Sequence, residues 1–580
     1  MRALALLTIA VLAVTANALT VNRLNGGANV IYVDFSIPGS VVPLELARSY
    51  NSITALNEQT AWYGAFGWGW TAPFETTLTL TAERHVLLRD GSTGNTVIFK
   101  PTTEDPKVRE AFYEALKKAY FDRTRGKKFA DGDLSKVALP EKMLARLKTD
   151  PRFRAEMAAK YQIKGEIPKG EMLISSEFGY QTIQFKNNLW VRDKDGVTQF
   201  FDGEGRMVRQ TDKNGFYFNY KYSTINKMQL DEVSDQDHSM SLKFTWRQDK
   251  VVEVVDNRSS HARYNYDGIG NLVQVTDSNS QTYFYKYENK KFPHVLTHIE
   301  YPSETNPKEK AVREVRYDDN GLVVYHRDKD GSETNYTYGK SASDPENNFW
   351  TKSVRKLKTG NEETYDEYQI KLRADGSRYL YKQENRLNGA STVTLFSACC
   401  GKPLQVTKNG DVTNYKYYDN GLLKERVGPK EDVRVEYDPR WKKVSKVSQN
   451  GFVSQYDYDD HGNLVRASNS HQEKVILKYD RFGRILEMTD KDAKKILFQY
   501  GEKGKPSVIT ERGVGTIRID YDNDGRIRKT ETLAAEVGAK GHDRKPSEAK
   551  SQEVVRRVMK GFQQLLDIIR PAGVGVSSGP

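Results

Sequence analysis

Four groups of residues in this 580-residue chain have the types and spacing to do chemistry. His294 and His298 are four apart, the separation that sets two ligands on one helix face, but Pro293 and the Val/Thr/Ile pattern around them predict strand or loop. Asp193-Lys194-Asp195-Gly196 and Asp328-Lys329-Asp330-Gly331 resemble the first half of a calcium loop. Their Gly falls at position four rather than six and no Glu closes position twelve, so turns are expected there. Trp62, Trp68 and Trp70 form the third group, a possible ligand face that stacks on sugar rings; the Gly64, Gly67 and Gly69 between them fit a packed N-terminal plug instead. Cys399 and Cys400, the only cysteines, are the fourth. They allow a vicinal disulfide in a turn near Gly401 and Pro403, a bridge between chains, or inert thiols. No Gly-x-Ser-x-Gly, phosphate-cradling loop or His-Glu-x-x-His is present. No catalytic, cofactor-binding or metal-binding residue is therefore expected, and no cofactor.

The elements that would position such groups announce themselves as a repeat. Tyr266, Asp267 and Gly270 begin one copy; Tyr317, Asp318 and Gly321 another; Tyr458, Asp459 and Gly462 a third; Tyr479, Asp480 and Gly483 a fourth. A fifth starts at Phe201 and Asp202, and partial copies at Tyr418 and Tyr521. In each full copy an Asp or Asn follows the first aromatic by 11 positions and a Tyr follows it by 21. Asp-x-x-Gly is turn chemistry, since Asp accepts from its own backbone two residues on and Gly supplies positive φ. Runs such as Leu272-Val273-Gln274-Val275-Thr276 have strand length and strand period. Each unit is thus two strands and two turns, stable only in an array.

The Tyr-Asp-x-x-Gly-[Asn/Arg]-[Leu/Ile] pattern at this period resembles the YD repeat of Rhs proteins, bacterial toxin-complex shells and teneurins. Upstream, Arg48-Ser49-Tyr50-Asn51-Ser52, Phe66-Gly67-Trp68-Gly69-Trp70 and the run from Asp90-Gly91 to Phe99 are similar to the segment that often precedes such arrays. The resemblance implies a mainly β fold: an antiparallel YD-repeat sheet spiralling into an open or partial shell, sometimes around a C-terminal toxin. Two departures count against a toxin-releasing shell. No Asp-Pro continues as x-Gly-Leu, the self-cutting motif of that group, and only about 50 residues follow the last repeat. About 360 residues at 21 each allow roughly 17 units, fewer than large shells use.

Outside the repeat, residues 1–18 read as a secretory signal peptide, with Arg2, an apolar run from Leu4 to Val14, and cleavage after Ala18. Residues 19–104 form the N-terminal β segment. Residues 105–170 interrupt the β pattern with apolar residues at helical spacing. This insert holds 17 Lys+Arg against 10 Asp+Glu, more than half of the chain's net charge of +12. Interspersed charges fit a solvated helical cap; as a binding surface it would meet acidic envelope polymers rather than nucleic acid. Residues 171–530 are the array. Residues 531–580 comprise a linker, an amphipathic helix from Ser551 to Arg570, and a loose tail. With 33 Tyr and 23 Phe the chain is too aromatic for a solvated coil, and no apolar stretch of 18 residues follows the first twenty. The expectation is a secreted, periplasmic or surface scaffold, not an enzyme, that binds a glycan, an envelope polymer or a partner protein. The rival is a small encapsulating carrier for a toxin or peptide, and a third reading is an enzyme acting on polysaccharide.

Overall fold

The computed structural model describes residues 19–39, 42–56, 63–101, 103, 105–125, 139–175, 180–302, 310–357, 359–373, 378–399, 401–501, 504–521, 527–534 and 548–569. One antiparallel sheet of 33 strands runs from Met172–Ser175 to Ile527–Ala534, each strand paired with the next in sequence. That is about two strands for each of the roughly 17 expected units. The sheet does not close into a barrel. The array extends slightly past its expected end, because Ile527–Ala534 pairs along its length with Gly515–Tyr521.

The motif explains the turns atom by atom. Asp267 Oδ1 accepts from the amides of Ile269 (3.1 Å) and Asn271 (2.8 Å), and its Oδ2 takes the Asn271 side chain at 2.9 Å. Asp459 with Asn463, and Asp480 with Arg484, repeat the arrangement. This is why Asn or Arg follows the motif Gly. Each closing tyrosine then donates to the carbonyl at the start of the preceding strand: Tyr266 to Val251 (2.6 Å), Tyr287 to Leu272 (3.0 Å), Tyr479 to Leu464 (2.7 Å), Tyr500 to Ile485 (2.8 Å). At Tyr266, Tyr317, Tyr458, Tyr479 and Tyr500 the register shifts by one residue, the strand after the turn carrying the extra one. Such bulges bend and twist a sheet, and their recurrence along the array coils it.

The N-terminal segment forms a four-stranded sheet of Thr20–Asn22, Gly27–Ile37, Leu44–Asn51 and Trp70–Thr71, and a three-stranded sheet of Thr77–Leu80, Val86–Arg89 and Thr96–Phe99. The first shares one core with array strands between Phe216 and Val323. The second packs on the first array strands, and Leu78 donates to the Gly205 carbonyl at 2.8 Å. A Cβ on Gly205 would stand 2.1 Å from the Leu78 oxygen, so only glycine allows this junction.

The insert folds as helices α1 (Pro106–Arg125), α2 (Glu141–Thr149) and α3 (Pro151–Lys160). Pro140 precedes α2 rather than occupying its first turn. Arg109 and the buried Arg154 clamp the buried Glu83 at 3.0 and 2.6 Å, fixing the insert to the turn between Leu80 and Val86. Helix α4 (Glu548–Ile569) begins a turn before the expected Ser551. Its Val554, Val558 and Leu565 bury against strands between Val475 and Ile519.

Candidate functional site

The covered face of the sheet follows from the repeat register. Residues two and four positions before each motif tyrosine point to it: Ala262 and Tyr264, Tyr283 and Tyr285, Val433 and Val435, Val475 and Leu477, Ile496 and Phe498. Two segments of the chain itself cover this inner face. The N-terminal sheet covers its first part, and α4 covers its last.

Under the N-terminal sheet lies a buried ion pair. Arg48 is held by both carboxylate oxygens of Asp34, with Nη2 at 2.8 Å from Oδ1, and Tyr264 donates to Oδ2 at 2.8 Å. The rings of Trp70, Tyr264, Tyr32 and Phe66 surround the guanidinium at 4.8 to 5.8 Å. The neighbouring Asp34 raises the Arg48 pKa against the opposing effect of burial, which is the largest single influence. Burial and the nearby carboxylate push the Tyr264 phenol well up. Neither group titrates near neutral pH, so this cluster is a structural anchor.

Between the two covered stretches the inner face changes chemistry. Its register line runs Ser353, Thr364; Thr351, Asp366, Asn385, Thr392; Gln383, Thr394, Val406, Thr413. The near margin is buried beneath the N-terminal sheet: Asp366 is 0% exposed, pairs with Arg23 at 2.8 Å, and takes the amides of Gln383 and Asn385 at 3.1 and 2.9 Å. Gln383, Asn385, Thr392, Thr394 and Thr413 are half-buried. The far margin is Arg426, paired with Glu431 at 2.7 Å, beyond which Val433 resumes the apolar face. A strip rich in hydroxyls and amides, with Tyr368 and Phe396 buried on the same face, thus spans about five strands, roughly 25 Å at the usual strand spacing, between two apolar stretches. Nothing in the linear motifs pointed to it. Its only signal was the replacement of apolar residues by Thr, Asn and Gln at the inward positions between Tyr338 and Tyr417.

The residues singled out in the sequence do not converge. Trp70 is 0% exposed, packs on Tyr50, Tyr32 and Tyr285, and donates to the Tyr287 hydroxyl at 3.0 Å. Trp68 is half-buried, stacks on His294 at 4.4 Å, and donates to the Ile269 carbonyl at 2.9 Å. Trp62 lies outside the described residues. The packed side of the two-way expectation describes Trp70, and Trp68 alone keeps an open edge. The glycines explain why: a Cβ on Gly67 would meet the Gly270 carbonyl at 2.5 Å, where the N-terminal hairpin presses on a motif turn. His294 Nδ1 donates to Asn271 Oδ1 (2.7 Å), away from His298, which faces Glu288 at 3.4 Å. Asp195 and Gly196 form a two-residue hairpin turn with φ of 52° and 83°. Cys399 is an exposed, disulfide-bonded residue in the turn after Ala390–Phe396, while Cys400 lies outside the described residues. Residues 1–18 and 535–547 lie outside them too. No described helix is long and apolar enough to cross a membrane. Among the described residues no cluster of three or more His, Cys, Asp or Glu is placed to hold a metal ion.

Comparison with known proteins agrees with this architecture. Residues 347–531 match the teneurin YD-shell family, and residues 20–99 match a domain of unknown function, DUF6531. Over residues 347–531 the chain is thus similar to YD-shell proteins. The copies at Tyr266 and Tyr317 fall outside both matches, yet lie in the same sheet. No curated protein matches the chain. Similar solved structures include TcdB2-TccC3-TEV, at 10% identity and TM-score 0.38, and TcdB2-TccC3 without its hypervariable C-terminal region, at 12% and 0.38; each covers 92% of this chain and 30% of that one. A Tc holotoxin pore from Photorhabdus luminescens, at 12% and 0.36, covers 90% and 30%. The chain therefore spans less than a third of these chains.

Proposed function

We propose that this protein is a non-catalytic carrier: a partial YD-repeat shell whose inner face holds polypeptide, with the polar strip as the place left for a cargo segment. One observation carries the reading. The inner face is mainly apolar where the chain's own N-terminal sheet and α4 lie on it, with isolated polar residues such as Arg313 and Ser454, and is richest in half-buried polar side chains between them, from Asp366 to Arg426. A face built to be buried permanently is apolar; one that must stand in water and then receive a hydrophilic segment carries side chains that bond to either. The toxin-complex proteins among the similar structures are named together with partner proteins, which is in keeping with a polypeptide occupant. The envelope-polymer reading drew on the basic insert, but Arg109 and Arg154 there are engaged with Glu83. Export to the envelope or beyond, a disulfide between Cys399 and Cys400, and a solvated role for the insert belong to the same proposal.

The test places a photo-crosslinking residue at Gln383 or at its outward-facing neighbour Glu384 in the full chain. A labelled, permanently unfolded polypeptide of about 100 residues serves as the probe. Crosslinking at Gln383 well above Glu384, with the probe shielded from protease, is the expected result. Equal crosslinking at both, or a probe cut as fast as when free, overturns the reading.

A further inference from the structure

The two turns of each unit lie at opposite ends of its strands, and therefore on opposite edges of the ribbon. After one circuit of the coil these edges meet. The second turn of the Phe201 unit, Asp212 to Gly215, touches the motif turns of the Tyr458 and Tyr479 units. Lys213 Nζ donates to Asn463 Oδ1 at 2.8 Å and lies 3.2 Å from the Gly462 carbonyl, bonds spanning about 250 residues of chain. Asn214 presses on Gly483, where a Cβ would come within 2.2 Å of its amide.

This seam differs from the other long-range contacts of the array. The N-terminal sheet and α4 are held by apolar cores, whereas the seam is held by polar groups under tension. Lys443 Nζ donates to the same Gly462 carbonyl at 2.7 Å, so two ammonium groups converge on one oxygen. Burial, and then the charge of Lys213, bring Lys443 down to about 8, with Asp459 opposing. Asn214 Oδ1 is buried without a hydrogen-bond partner. Beside the contact lies a cavity of about 530 Å³ lined by Asn214, His461, Asn463, Lys478, Asp480 and Arg481 among others. Two crowded cations and an unpartnered amide oxygen are costs of the closed contact that opening would relieve.

We propose that the shell opens sideways along this seam, between successive coils, with Lys213 as the latch and Lys443 as the group that opposes closure. The idea rests on the carrier reading, for which the seam is the way in to the inner face. It predicts opposite effects from two lysines bonded to one carbonyl. In the full chain, Lys213→Ala removes the cross-seam bonds and speeds amide hydrogen exchange about tenfold in residues 209–217 and 459–484 together. Lys443→Ala removes the repulsion and slows exchange in both segments. Exchange in residues 262–266, under the N-terminal sheet, stays unchanged in both variants and reports that the fold is intact. Effects of the same sign from both substitutions, or effects confined to the substituted segment, overturn the seam. Opposite and concerted effects in a protein that fails the crosslinking test leave the seam standing and remove the carrier reading.

Discussion

At the scale of single residues, the motif aspartates set the turns. Asp480 Oδ1 accepts two backbone amides, both at 2.9 Å, and its Oδ2 pairs with Arg484 at 2.6 Å. Asp480→Ala strips three charge-assisted contacts from a partly exposed turn and costs about 1–3 kcal/mol, whereas Asp480→Asn keeps an acceptor for the amides and costs less; chemical denaturation ranks the pair. The Arg48–Asp34 cluster follows another logic. Arg48→Met leaves Asp34 buried and uncompensated, a loss of about 3–5 kcal/mol. The double variant Arg48→Met, Asp34→Leu removes both charges and recovers a good part of that loss, which a thermodynamic cycle measures directly. On the outer face, Lys495 and Lys478 flank Glu487 at 2.9 and 3.3 Å, and hydrogen bonding to Lys495 leads the influences holding its carboxyl down to about 2. A depressed carboxylate stabilises fully above its ordinary pKa of about 4.3, and that stability is lost as pH falls from there toward 2. Denaturant midpoints between pH 5 and pH 3 should drop less in Glu487→Gln than in the parent. High salt should narrow the difference, because the ion pairs lie on the outer face where their lysines reach solvent.

At the scale of elements, α4 is a docked strut whose apolar face is completed by the array. Leu565→Ala costs about 2–5 kcal/mol of that docking, visible as faster exchange in the strands between Val475 and Ile519. Glu511 faces Gly561 of the helix with one oxygen unpartnered, and burial raises its carboxyl pKa. Glu511→Gln removes a charge that docking desolvates and tightens the same strands. The strands, turns and helices of this level were legible in the sequence because each is locally encoded. Tyr-Asp-x-x-Gly fixes a turn within seven residues, and Val108, Phe112, Leu116 and Ala119 mark one helix face. What packs on what was not encoded locally. Trp70 reads equally well as a sugar platform or a core residue until Tyr50, Tyr285 and Tyr287 are brought to it from other strands. The start of α4 was misplaced because Ser551 offered a helix-starting residue inside a helix that already had a turn before it. The polar strip and the seam escaped entirely, since both depend on register and on a coil that returns after about 250 residues.

At the scale of the whole molecule, the described residues divide among several separate cores. The N-terminal sheet shares one core with the strands up to Val323, α4 shares others with the strands after Leu423, and the insert keeps its own around Phe112, Leu116 and Leu147. Between the first two lies the polar strip, where among the described residues buried apolar side chains are few. In a repeat array, stability is carried by units and their interfaces, so cooperativity breaks where an interface is weak. Unfolding should therefore separate into at least two transitions, with the break falling in the strands from Arg378 to Tyr417. Calorimetry would then give a van't Hoff enthalpy well below the calorimetric one. Leu565→Ala should move only the transition that contains α4, and Arg48→Met only the one that contains the N-terminal sheet. A single transition shifted equally by both substitutions would mean that the strip transmits packing as strongly as the apolar stretches do. In that case its threonines and amides would be interior structure rather than a surface kept for an occupant.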